Sequence, residues 1–377
     1  MGIRYVVHCL CGVACLVVSG ASSLTARAAE DPSTASWDKV VARGVAYLET
    51  KGQSADGSFT SASGPGITAL ATTALLRSGR TADSPSVARS LKYLESFVQP
   101  DGGIYQAGSL YRNYETCVAI VCFQLVNQDG RYDAMLKRAD AFVCGQQWDA
   151  GENIDSSNFN FGGAGYGKSK RPDLSNTAFF MDALHAMSHD QDDPAVQQAL
   201  VFISRCQNLE SEHNTTPFSA KNPDGGFYYT PAAGGSSMAG QTDAGGLRSY
   251  GSMTYAGLKS MIFAGVGPDD PRVKAASGWI RKNYTLDANP GMGAAGQYYY
   301  YHTFAKALDA MRLTTFEDDK GEKHDWRAEL VSALANRQKE DGSWINENDR
   351  WLEGDANLVT SYALLALAYC RPAPHLP

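Results

Sequence analysis

The sequence predicts an all-α fold, an (α/α)6 toroid, which is a double-walled barrel of six helix hairpins. Three observations carry this: helices apolar on nearly every face, one-sided helices between them, and polar glycine-rich turns where several of the latter end. The 377 residues are 44% hydrophobic and 19% charged, enough to bury a large core.

The one-sided helices share a start. Ser84-Pro85, Asp193-Pro194 and Asp270-Pro271 each place a capping residue before a proline at the first helical position, where its missing N–H is not needed. In the second of these, Val196, Ala199, Leu200, Ile203 and Cys206 form one apolar stripe against Gln197, Gln198 and Arg205. Matching helices start near Trp37, Tyr132 and Asp325. Turns built on Asp56-Gly57, Asp101-Gly102, Asp224-Gly225 and Asp341-Gly342 end four of the set, with Phe59, Phe227 or Trp344 placed to fold back.

The second set spans residues 67–76, 114–125, 176–187, 253–263, 302–311 and 359–369. A helix apolar all round is buried all round, so these are the inner staves. Each opens with a threonine, Thr68, Thr116, Thr177, Thr254, Thr303 and Thr360. Their spacing of about 48 to 77 residues leaves room for one outer helix and one loop apiece, which closes a ring.

Met1 to Ala28 has the layout of a cleavable export signal: Arg4, an apolar run from Tyr5 to Val18, then Ala26-Arg27-Ala28. Cleavage is expected after Ala28, leaving residues 29–377 as a single six-repeat toroid, periplasmic or secreted, with no membrane span. The formal charge of −7 and the lack of a basic cluster exclude a nucleic-acid partner. Five cysteines follow the signal: Cys117, Cys122, Cys144, Cys206 and Cys370. They sit in apolar helical patterns without Cys-x-x-Cys spacing and read as small buried hydrophobes.

Leu334 to Trp344, with Gln338 and Gly342, resembles the QW repeat of the α/α-toroid superfamily of terpenoid cyclases and protein prenyltransferase β subunits. The resemblance runs over nearly all of the chain beyond the signal and implies the toroid, with the repeat stapling helix ends. It also locates what is missing. Squalene-hopene-type cyclases carry Asp-x-Asp-Asp-Thr at the start of an inner helix, its middle acid protonating an alkene. The matching stretch is Asp173-Leu174-Ser175-Asn176-Thr177, so Ser175 stands where that acid belongs, and a hydroxyl cannot protonate an unactivated alkene.

Prenyltransferases hold zinc at stretches matching Tyr250-Gly251-Ser252-Met253 and Tyr301-His302-Thr303-Phe304, where His302 alone of the three ligands remains. No metal and no cofactor is therefore expected. Asp190-Gln191-Asp192-Asp193 precedes Pro194 and is expected to cap an outer helix. Cys144-Gly145-Gln146-Gln147 resembles the Cys-Gly-Glu-Gln thioester of complement-type toroids, but it closes an outer helix instead of opening an inner one.

The toroid brings the N-terminal ends of its inner helices to one mouth, with unpaired N–H groups and positive dipole ends. Asp173, His302, Tyr301 and Glu115 are the candidate catalytic residues there. Arg112, Tyr114, Ser175, Asn176, Tyr250, Ser252 and Tyr300 are the candidate ligand-binding residues. Three functions fit: a cyclase-like vessel binding or transforming an apolar isoprenoid-like ligand without the usual acid, a polysaccharide lyase or hydrolase acting on a glycan, and a non-enzymatic envelope module. A wide apolar cavity favours the first, a polar groove with paired carboxylates the second, a filled barrel the third.

Overall fold

The structure is a computed structural model that describes residues 32–152, 154–167 and 171–372. Met1 to Ala28, read from the sequence as an export signal, lies outside the described residues. Twelve α-helices alternate among them. The inner set is α2 (Gly66–Arg77), α4 (Arg112–Val126), α6 (Leu174–Ala186), α8 (Gly251–Phe263), α10 (Gln297–Ala310) and α12 (Ala356–Ala368). The outer set is α1 (Pro32–Tyr47), α3 (Pro85–Glu95), α5 (Asp133–Cys144), α7 (Pro194–Arg205), α9 (Pro271–Lys282) and α11 (Trp326–Arg337).

The inner helices close on themselves: α2 packs on α4, α4 on α6, α6 on α8, α8 on α10, α10 on α12, and α12 back on α2. Outer helices lie against the inner helix before them, as α3 on α2, α5 on α4, α7 on α6 and α9 on α8. The sixth pair joins the two ends of the chain. Helix α1 packs on α12 and α11, and the Trp37 indole N–H donates to the Leu367 carbonyl at 2.9 Å.

The repeated threonines hold the walls to the turns. The Thr68 hydroxyl accepts the N–H of Phe59 (2.9 Å), Thr116 that of Ile104 (3.0 Å), Thr177 that of Ala164 (3.0 Å), Thr254 that of Phe227 (3.0 Å) and Thr360 that of Trp344 (3.1 Å). Each inner helix start is thus pinned to the loop arriving from the outer wall. Thr303 departs from the set, because its hydroxyl donates to the carbonyls of Tyr299 and Tyr300 within α10. No Asp-Gly turn precedes α10.

The repeated glutamines tie outer helices to one another. Gln207 donates to the carbonyls of Gly225 (2.9 Å) and of Arg272 in α9 (2.8 Å). Gln53 reaches Gly57 and Ser86 of α3, Gln147 reaches Gly162 and Ala195 of α7, and Gln338 reaches Gly342 and Val40 of α1. This accounts for the Cys144 to Gln147 string: Gln147 is a staple. The turn glycines are required at close approach, since a Cβ on Gly57, at φ 93°, would lie 2.4 Å from the Arg89 carbonyl oxygen. Asp193 caps α7 by accepting the Ala195 N–H at 2.8 Å, as the sequence implied. All five cysteines are free, four of them buried.

Gln207 is almost wholly buried, so its removal takes one donor from each of two carbonyls. Gln207→Ala is expected to lower unfolding stability by about 2–4 kcal/mol. Gln99→Ala, whose amide bonds only carbonyls of its own loop, is the control and should lose about 1 kcal/mol or less. Urea unfolding of both variants checks this; equal losses would show that the tie between outer helices contributes nothing.

Candidate functional site

Parallel inner helices bring six N-terminal ends to one rim, and a cavity of about 650 Å3 opens there. That is within the roughly 300–1,000 Å3 that encloses a small organic ligand. Its walls are chiefly aromatic and come from every part of the ring: Tyr114 of α4, Phe179 of α6, Tyr299 of α10 and Tyr362 of α12, with Tyr166, Tyr229 and Tyr250 from the loops. The rings lock edge to face or obliquely, Tyr114 on Phe179 at 5.0 Å and Tyr299 on Tyr362 at 5.8 Å between centroids. Ile67, Met253, Leu358 and Met238 complete the apolar surface.

The rim is apolar too. Leu110, Tyr111, Trp351 and Leu352 border the cavity and are exposed large hydrophobics, 44–57% accessible. Trp351 and Leu352 adopt left-handed φ values of 59° and 64°, a conformation unfavourable for bulky side chains. The long loops of the third and fourth repeats reach the mouth through Tyr166 and Met238.

The three carboxylates of the mouth are engaged with the backbone. Asp173 is the N-cap of α6, accepting the Asn176 N–H at 2.9 Å and the Asn176 side-chain amide at 2.8 Å. Glu115 accepts from the Gln106 N–H (3.1 Å) and the Ser109 hydroxyl (3.0 Å). Glu353 accepts the N–H groups of Tyr298 and Tyr299 at the start of α10 and the Asn346 amide. The expectation of unpaired N–H groups at the mouth is corrected at α6 and α10, whose first N–H groups Asp173 and Glu353 already hold. Burial raises all three pKa values, and hydrogen bonds from these donors oppose the rise. For Asp173 the net result is about 6, the Asn176 bonds and the Tyr229 hydroxyl bond pulling against burial.

Six of the eleven residues picked from the sequence line the cavity: Tyr114, Glu115, Ser175, Asn176, Tyr250 and Ser252. Asp173 sits directly behind them as the cap. The Ser175 hydroxyl is 3.0 Å from that of Tyr299, a neutral pair on the cavity wall. Four residues fall elsewhere. Arg112 lies half-buried against Gly167. Tyr300 and Tyr301 donate their hydroxyls to Thr285 and Leu286 in the loop after α9. His302 lies deeper in the barrel, its ring stacked with that of Tyr362 at 5.7 Å.

The cause is the start of α10. With Gly296 at φ 67° as N-cap and Glu353 holding the first N–H groups, the helix begins at Gln297, five residues before His302. The four tyrosines therefore fan around a helix, and Tyr299 is the one that faces the cavity. Tyr299, Tyr362, Tyr166 and Tyr229 were missed. The i, i+3, i+7 spacing of Tyr299, His302 and Lys306 was the available signal for the first.

Two groups could offer three metal ligands, Asp140, Cys144 and His189, and Asp318, Glu322 and His324. Neither contributes to the cavity wall. In the first, His189 already bonds Asp140 at 2.9 Å and Asp193 at 2.8 Å.

A closed ring of six helix pairs, with one aromatic cavity at the N-terminal ends of the inner helices, defines a terpenoid cyclase-like toroid. The squalene-hopene cyclase C-terminal domain family matches residues 29–231, more than half of the chain, and the chain belongs to that family. Among solved structures it is similar to the type II terpene cyclase MstE from Scytonema. A single-substitution variant of that enzyme without ligand superposes with a TM-score of 0.54 at 14% identity, over 92% of this chain and 99% of that one. The unsubstituted enzyme gives 0.51 at 13%, over 89% and 98%. A protein from Actinoplanes gives 0.50 at 16%, over 89% and 100%. At these identities the likeness is one of fold. No curated protein sequence matches the chain.

The folded pKa of Asp173 lies above its ordinary value, so the folded state holds the extra proton between about pH 4 and 6. Stability from this group is therefore present at low pH and falls as pH rises through that window. Asp173→Asn keeps a capping oxygen, and Tyr229 and the unpartnered Asn176 Oδ1 can turn to receive the new amide. Urea unfolding should show wild type losing ground to this variant from pH 4 to 6 and a constant difference above. A difference that does not move with pH would remove the buried proton.

Proposed function

We propose that this chain is an exported member of its family that binds an apolar isoprenoid-like ligand in the 650 Å3 cavity and lacks the alkene-protonating acid of cyclases. One observation supports the reading: the cavity wall, rich in aromatic rings with Glu115, Asn176, Ser252 and Glu353 among its polar residues, carries the Ser175–Tyr299 hydroxyl pair on the stretch that resembles the cyclase acid motif. Aromatic faces suit conjugated or unsaturated chains by dispersion and by their negative π surfaces. The hydroxyl pair gives such a ligand one polar anchor, and the exposed apolar rim continues the surface outward. Export rests on the signal-like run from Met1 to Ala28. Among the described residues no helix is long and apolar enough to cross a membrane.

The other two readings have less behind them. A filled barrel would favour a purely structural module, and this barrel is hollow at one end. Glycan cleavage would call for a pair of carboxylates free to act on substrate, whereas Glu115, Asp173 and Glu353 are held by backbone N–H groups.

The test is native mass spectrometry with lipid extraction on protein purified gently from its own envelope, alongside titration with geranylgeraniol followed by tyrosine and tryptophan fluorescence. A co-purifying isoprenoid and saturable binding are expected, with binding weakened at least tenfold in Tyr299→Ala. Squalene is expected to be recovered unchanged from wild type, while Ser175→Asp should yield traces of cyclised product. An empty barrel that binds no isoprenoid would end the ligand reading, and robust cyclisation by wild type would overturn the assignment of Ser175.

A further inference from the structure

Phe179 borders the cavity on one side and a second, far smaller void on the other. This void measures about 30 Å3 and lies toward the C-terminal ends of the inner helices. Its polar lining is unusual for a barrel core. Asp182 of α6 is its carboxylate, and two lysines already claim it, the buried Lys259 of α8 at 2.5 Å and the part-buried Lys306 of α10 at 2.7 Å. Lys259 also donates to the Ala178 carbonyl at 2.9 Å. Lys306 has Asp182 alone as a bonded acceptor among the described residues.

Two further donors face the same void. Arg77, the last residue of α2, has no carboxylate partner among the described residues and rests against the Tyr369 ring at 5.4 Å. His302 is 93% buried, and neither of its ring nitrogens has a hydrogen-bond partner among the described residues. Burial and the neighbouring cations hold this imidazole neutral, its pKa lowered to about 3, so one nitrogen still carries a proton to donate. The cluster thus has three cations against one anion, and N–H groups left over on three residues. Lys259 is buried and Lys306 and Arg77 are part-buried, so water screens the excess charge only in part and an anion in the void would balance it.

We propose that this void is a binding site for one small inorganic anion of the chloride class, held by Arg77, Lys306 and His302. The size sets the class. A space of this volume accommodates a water-sized or halide-sized particle, and a carboxylate or phosphate with its substituents is too large. The shared wall of Phe179 puts the anion beneath the ligand cavity, where it fixes His302 under the Tyr362 ring and so the floor of that cavity. The site stands apart from the isoprenoid reading and survives its failure.

Crystals grown in sodium bromide give the direct test. An anomalous peak is expected in the void, in contact with Lys306 Nζ. Surface bromide peaks without one there would leave water as the occupant and overturn the proposal. In solution, the thermal midpoint should rise by about 2 °C or more in sodium chloride relative to sodium gluconate of equal ionic strength. Arg77→Met and Lys306→Met should each abolish that difference. Equal melting of wild type in the two salts would also overturn it. Both wild-type readouts hold whether or not the variants fold well.

Discussion

A helix that is apolar on every face has no side to leave in water, and this governs the molecule. Each of the six inner helices needs a neighbour left, right and behind, which a closed ring with an outer wall supplies. Closure with all six running the same way then gives the barrel two unlike ends. At the N–H end carboxylates gather: Asp173, Glu353 and Asp355 accept helix-start N–H groups, and Glu115 accepts that of Gln106 in the preceding loop. Toward the carbonyl end stand Lys259, Lys306 and Arg77. The helix dipole favours the carboxylates at the N–H end and Arg77 in the last turn of α2.

The interior is consequently layered along the axis. An apolar rim opens onto an aromatic chamber, the chamber ends on Phe179 with Tyr299 and Tyr362, and below this floor lies the charged cluster around Asp182. The chamber wall carries the Ser175–Tyr299 hydroxyl pair, and its carboxylates are occupied in holding loops and helix starts.

The fold was legible because its signals are local and repeated. Asp-Pro starts, Asp-Gly turns and five of the six threonines marked true boundaries, and those five share one hydrogen bond that the sequence could not display, whereas Thr303 lies six residues inside α10. The site was half legible. Residues at helix starts, such as Ser175 and Ser252, could be placed by register alone. Tyr300 and Tyr301 fell outside the cavity because the start of α10 is set by Glu353, more than fifty residues downstream, and no local pattern reveals a cap delivered from another repeat. His302 moved from mouth to interior for the same reason. The exposed pair Trp351 and Leu352 lies in an irregular turn whose left-handed backbone is not a propensity that sequence advertises.

The sixth hairpin has a consequence for how the chain reaches this state. Its outer helix, α1, is the first made, and its inner partner, α12, is the last. Until α12 is made, the apolar stripe of Trp37, Val40, Val41 and Val45 lacks one of the two helices it packs on, and α2 and α10 both lack a flank. The polypeptide is therefore obliged to wait as an open, sticky arc of helices, and joining its ends is a long-range event of the slow kind. A ribosome stalled before α12, or a protease that removes it, leaves a chain short by one stave whose whole wall remains unsealed.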